Sequence, residues 1–260
     1  MPPPPGPGLA PAPAFLSIIQ HNCLGSWNVF LSLFELFKEA TTYPSIVLLQ
    51  DSPVNKAHLP SFNGFKSFFP PARKPRVAAY VHMSFLSSYT VLPRFKGVDD
   101  VLALDISADG PLFGSSFHSF RVINAYSNNT GDHRVHSVSP EDLFPDLGFP
   151  LLVLGDLNIH NPLSDPVRHF SQREISSTTP YFEKAAESGF ALLNPPGEYT
   201  RFALLGNARP SVIDLTFENP PLLPLIKSWE ASLPSTGSNH IPITITLATP
   251  WLSQKPPRPR

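Results

Sequence analysis

In LLVLGDLNIHN, residues 151–161, four apolar residues run into Asp156, Asn158 and His160 at alternate positions. Alternation on a strand end sends all three to one face. Polar groups collect at the ends of other apolar runs too: Asn22 closes FLSIIQHN, Gln50 and Asp51 close SIVLLQD, and Tyr126, Asn128 and Asn129 close FRVINAYSNN. Asn239 and His240 introduce the last run, GSNHIPITI. Asp214 lies inside PSVIDLTF, where a charge between Ile213 and Leu215 is costly unless it has a partner such as an imidazole. If these ends share one edge of the fold, carboxylates, amides and imidazoles converge on one pocket. Hard oxygen ligands without cysteine suit Mg²⁺, with Mn²⁺ as a substitute; both bind one or two carboxylates, keep several waters and hold a phosphate. The matching chemistry is phosphoester hydrolysis, in which a metal neutralises phosphate oxygens, a carboxylate takes a proton from the attacking water, and a donor stabilises the developing charge.

Each residue also has a plain structural reading. Asp156 followed by Asn158 fits an Asx turn closing a strand. A strand-end His240 is more often ordinary than catalytic, Tyr126 by default is a half-buried aromatic with a wet hydroxyl, and Asn22 alone means little.

Short β-branched or apolar runs broken by Pro, Gly and Ser favour strands as the elements that position these groups. The windows are Phe15–Asn22, Ser45–Gln50, Val77–His82, Tyr89–Phe95, Val101–Ser107, Phe120–Ser127, Leu151–Leu157, Ser211–Phe217 and His240–Ala248. So many strands suggest two sheets. Asn28–Ala40 reads as a helix with Val29, Phe30, Leu33, Phe34, Leu36 and Phe37 on one broad face. A second helix is expected after Thr179 as N-cap, with Pro180 at its first position and Gly189 as its stop. The pattern fits an α/β sandwich with helices on the outer faces.

Of 260 residues, 42% are apolar, enough for a sizeable core, and the net charge of −1 excludes a global field that would draw the chain to nucleic acid or an anionic membrane. One cysteine, Cys23, rules out an internal disulfide framework and a cysteine-based zinc site. MPPPPGPGLAPAPA lacks the features of a secretory signal, and no apolar run is long enough to span a membrane, so the chain reads as a soluble intracellular protein. The expected organisation is a Pro-rich disordered tail over 1–14, one domain over 15–249, and a Pro-rich basic tail over 250–260.

Taken in chain order, IIQHN, LLQD, NAYSNN, GDLNIHN, SVIDLTF and GSNHIPI resemble the endonuclease/exonuclease/phosphatase superfamily. PPARKPRVAAYV, GDLNIHNPLSD, TPYFEKAAESGFALLNPPGEYTRF and RPSVIDLTFENP are most similar to the endonuclease domain of a fungal non-LTR (LINE-type) retrotransposon, here solitary or truncated. The resemblance implies a four-layer α/β sandwich of two mixed sheets flanked by helices. It places Asn22 and Asp51 at a Mg²⁺ ion, makes Asp156 the group that activates water and Asn158 the group that orients it, and has Tyr126 donate to the phosphate. His240 would stabilise the developing charge, oriented by Asp214. Asn128 would lie against substrate, and His160 would either contact substrate or serve the structure.

Two positions depart from the family pattern. Asp51 stands where a glutamate is usual, which draws the carboxylate back by roughly one bond from a metal that needs an oxygen at about 2.1 Å. Ser238-Asn239-His240 replaces the usual Ser-Asp-His, leaving a neutral amide in the metal set and implying a weakened copy. Arg73, Lys74 and Arg76 form the densest basic patch, either a solvated loop or a contact to DNA phosphates. The resulting expectation is a monomeric, nuclear, Mg²⁺-dependent DNA-nicking enzyme with no membrane partner. A phosphatase acting on a small phosphate ester, or a catalytically dead nucleic-acid-binding remnant, is the alternative.

Overall fold

The computed structural model describes residues 15–40, 42–53, 61–95, 99–108, 118–128, 136–203, 209–232 and 235–248. The two Pro-rich tails and Asn129 lie outside them. Along the chain run β1 (Phe15–Asn22), α1 (Trp27–Glu39), β2 (Ile46–Gln50), β3 (Phe65–Phe68), β4 (Val77–His82), α2 (Met83–Leu86), β5 (Thr90–Arg94) and β6 (Val101–Ser107). They are followed by β7 (Ser119–Tyr126), α3 (Pro140–Leu143), β8 (Leu151–Asp156), α4 (Gln172–Glu187), β9 (Ala191–Leu192), β10 (Asp214–Glu218), β11 (Ile226–Ala231) and β12 (Ile243–Ala248).

The strands form two six-stranded sheets, ordered β11-β12-β1-β2-β4-β3 and β5-β6-β7-β8-β10-β9. Each sheet is mixed: β1–β2 and β7–β8 are parallel and the other pairs antiparallel. Side chains alternate between two environments, as strand geometry requires. Leu16, Ile18, Ile46, Leu48, Val122, Leu152, Leu154, Ile243 and Ile245 fill the layer between the sheets. Ile19, Val47 and Leu49 turn outward under Phe30, Leu33, Phe34 and Phe37 of α1, whereas Leu151 and Val153 turn outward under Tyr181 and Ala185 of α4. The result is the expected four-layer α/β sandwich.

The second helix departs from its expected start. Its N-cap is Ser171, in a capping box: Ser171 Oγ accepts from Glu174 N–H at 3.2 Å, and Glu174 Oε2 accepts from Ser171 N–H at 2.9 Å. Pro180 therefore sits inside the helix. The hydroxyls of Ser176, Ser177 and Thr179 donate back to the carbonyls of Gln172, Glu174 and Ile175, holding the turns before the proline closed. The stop is where expected: Gly189 has φ of 76°, which suits a residue without Cβ. Three strands, β3, β9 and β11, fall outside the sequence windows. β3 and β9 are edge strands, β9 of only two residues, and β11 is an edge strand carrying Lys227 and Glu230, so none presents an apolar run.

Candidate active site

The site follows from alternation carried to the strand ends. On β1 the inter-sheet positions Leu16 and Ile18 lead to Gln20 and Asn22; on β7, Phe120 and Val122 lead to Asn124 and Tyr126; on β8, Leu152 and Leu154 lead to Asp156. Register then aligns them. Tyr126 pairs with Asp156 across β7–β8, Asp156 pairs with Asp214 across β8–β10, and Asn22 pairs with Gln50 across β1–β2. Asp214 is thus the first residue of its strand, at the strand's end rather than inside it as the sequence window suggested.

A close backbone approach sets this row. A Cβ on Gly155 would fall 1.8 Å from the carbonyl oxygen of Ala125, so only glycine lets β8 lie against β7 one residue before Asp156.

The two sheets meet at the row. Asn22 Nδ2 donates to Asp156 Oδ2 at 2.6 Å, and Asn22 Oδ1 accepts from Leu24 N–H at 2.7 Å. Asp156 Oδ1 accepts from Asn158 N–H at 3.1 Å, so the Asx turn is present. Asn158 takes φ of 50°, and its Nδ2 donates to Ser127 O at 2.9 Å. His240 Nδ1 is 2.8 Å from Asp214 Oδ2, while its Nε2 is 3.9 Å from Asp156 Oδ2. Asn22, Asp156, Asp214, Asn239 and His240 are all buried.

Residues with no role assigned from sequence position these groups. Thr200 Oγ1 accepts from the N–H of both Ile213 and Asp214, fixing the start of β10. Ser238 Oγ donates to Asn22 O at 2.9 Å, and Thr236 Oγ1 shares a 2.8 Å hydrogen bond with His21, so the segment carrying Asn239 and His240 is tied to β1. Thr200 and Thr236 are ordinary loop residues in sequence, and only long-range contacts disclose them.

Electrostatics follow burial and neighbours. Burial, then the Asp214 carboxylate, push Asp156 up to about 7. Burial works against a charge on His240, but the charge and hydrogen bond of Asp214, with Asp156 adding, hold it above the usual histidine value even against Arg201. Burial and then the Asp51 carboxylate raise Tyr126 to about 12, so its hydroxyl keeps its proton.

Several expected members stand apart. Strand β8 ends at Asp156 and the left-handed Asn158 breaks the alternation, so His160 does not join the row; Arg168 Nη1 donates to its Nδ1 at 2.8 Å, and Arg168 also pairs with Glu174. The backbone N–H of Asn128 donates to Ser137 Oγ at 2.9 Å, away from the row. Arg73 and Lys74 are exposed, whereas Arg76 leaves that patch: it pairs with Asp51 at 3.0 Å and lies 4.1 Å from the Tyr126 ring centre. Asn239 Nδ2 donates to Phe202 O at 3.2 Å, and its buried Oδ1 has no partner among the described residues.

These oxygens fit a divalent cation. Among the described residues Asn239 Oδ1 and Asp51 Oδ2 accept from no donor, and ligating atoms of Asp156, Asp214 and His240 all lie within 4.8 Å of one another.

Solved structures share this architecture. The endonuclease domain of TRAS1, a telomere-specific non-LTR retrotransposon, matches at 16% identity and TM-score 0.64 over 89% of this chain and 98% of its own. The AP endonuclease LMAP from Leishmania major matches at 16% identity and TM-score 0.72, over 91% and 89%. The 3'-5' exonuclease NExo from Neisseria meningitidis matches at 17% identity and TM-score 0.64, over 90% and 100%. At such identities the likeness is one of fold. No curated protein matches the chain in sequence. Residues 120–244 match the family model described as endonuclease-reverse transcriptase. Over those residues the chain is similar to that family, and its fold is the one these nucleases share. The family-model match begins in β7 and ends in β12, so it takes in Tyr126, Asp156, Asp214 and His240.

Proposed function

We propose that this chain is a divalent-metal-dependent DNA endonuclease, the nicking domain of a retrotransposon-derived protein that works as a monomer on nuclear DNA. The observation that carries the reading is the buried row Tyr126–Asp156–Asp214, with His240 held on Asp214 and its free nitrogen turned toward Asp156. The endonuclease-reverse transcriptase match over the same strands supports it.

Asp51 and Asn22 would hold Mg²⁺, with Asn239 Oδ1 as a neutral third oxygen. When bound, the ion supplies a Lewis acid at the phosphate. The chain's own groups do the rest. Asp156, raised toward neutrality, is matched to take a proton from water near pH 7. Asn158 orients that water, and the protonated Tyr126 hydroxyl donates to a phosphate oxygen. His240, charged and fixed by Asp214, faces the negative charge that builds as the phosphodiester is attacked.

The test is nicking of supercoiled plasmid with Mg²⁺ or Mn²⁺ against chelator, with Asp156→Ala as control. Metal-dependent nicking that disappears in the control is expected. Turnover of a small phosphate ester but not of plasmid would replace this reading with a phosphatase. DNA binding without turnover would make the chain a non-catalytic remnant.

A further inference from the structure

The fold moves Arg76 from the surface patch into the site, and its two contacts there are unlike. Its Nη2 donates to Asp51 Oδ1 at 3.0 Å, and its guanidinium carbon lies 4.1 Å from the Tyr126 ring centre. The backbone locks the pair together: Ser52 N–H donates to Arg76 O at 3.1 Å, and Gly25 N–H donates to Asp51 O at 2.7 Å. Asp51 is held with φ of 40°, a left-handed conformation that a non-glycine residue adopts at a cost and only where its surroundings fix it. The carboxylate placed there is the shorter one, and the group that meets it is a cation.

We propose that Arg76 is the internal counter-ion of Asp51: guanidinium and divalent cation compete for the same carboxylate, so Arg76 sets how tightly the metal is held. This rests on the reading of Asp51 as a metal carboxylate. An arginine is always charged and stacks on an aromatic face through its planar fork. Once the carboxylate is taken, Arg76 therefore keeps its place on the Tyr126 ring, with its donors turned to the phosphate. Metal binding to Asp51 places a second cation beside the Arg76 guanidinium on one carboxylate, which weakens binding of metal alone.

The experiment is calorimetric titration of Mn²⁺ alone, without DNA, into the full chain and its variants. Arg76→Met keeps a flexible apolar chain against Tyr126 and removes the charge. It should bind Mn²⁺ more tightly, by about tenfold or more. Arg76→Lys should remain near the natural chain, and Asp51→Asn added to Arg76→Met should abolish the gain. If Arg76→Met proves unfolded by circular dichroism, Arg76→Gln carries the same test. Equal or weaker Mn²⁺ binding by a folded neutral variant overturns the counter-ion role and leaves the metal reading standing. If neither the natural chain nor the neutral variant binds Mn²⁺, both fall together.

Discussion

Asn239 carries two demands on one amide. Its Nδ2 anchors Phe202 O, and its buried Oδ1 accepts from no donor among the described residues. An aspartate there would give up the first role and strengthen the second, because a carboxylate brings charge to a cation but repels the Phe202 carbonyl. Asn239→Asp should therefore melt below the natural chain in chelator, by the worth of one hydrogen bond, about 1 kcal/mol. Mn²⁺ should raise its melting temperature more than it raises that of the natural chain, since a ligand stabilises in proportion to its affinity for the folded state. Equal metal-induced shifts in paired thermal melts would sink the idea that the amide weakens the site. The pairing of Asp214 with an imidazole was legible in the sequence because a charge between Ile213 and Leu215 needs a partner, although Asp156 and His240 taken singly also had ordinary readings. The contacts of Arg76 and Asn239 were not, because each depends on a partner far away in sequence. His160 was misplaced because strict alternation was carried past Asp156, where the left-handed Asn158 ends it.

Strands are legible where they are buried, and the site hangs on buried strands. Each central run reads as apolar because it faces one core between the sheets and another under a helix, whereas β3, β9 and β11 lie at or beside the sheet edges and carry little such signal. The second helix was located by its end and missed at its start, since the prominent Pro180 outweighed the quieter Ser171–Glu174 box. One residue ties an element directly to the chemistry. Gly155 brings β8 against the Ala125 carbonyl, one position before Asp156. Gly155→Ala must push β8 away from β7 and carry Asp156 out of register with Tyr126. The expected cost is about 3 kcal/mol, as for overpacking of a tight core, measured by urea unfolding. Nicking should fall far more than the remaining folded fraction explains. A variant of native stability and activity would show that the two strands can part without moving the carboxylate.

At the scale of the whole molecule the charges nearly cancel, at −1, so the proposed DNA binding has to draw on one face. None of the described helices is long and apolar enough to cross a membrane. With Arg76 drawn into the site, the exposed cations left in PPARKPR are Arg73 and Lys74. They lie just before β4, on the chain that delivers Arg76 beside Tyr126, so a duplex whose phosphate meets Tyr126 passes close to them. Each phosphate contact adds about 0.9 to the slope of log affinity against log salt. Replacing Arg73 and Lys74 by alanine should therefore lower that slope by roughly 2 in binding titrations at several salt concentrations, without changing the plasmid sequence preference. An unchanged slope would move the DNA to another cationic surface. The candidate is the cavity of about 390 Å³ lined by Arg168, His169, Tyr199 and Arg209. Tyr199 there lies two residues before Arg201, which forms a backbone bridge with His240. Duplex DNA would then enter from the α4 side of the sandwich rather than across the end of β4.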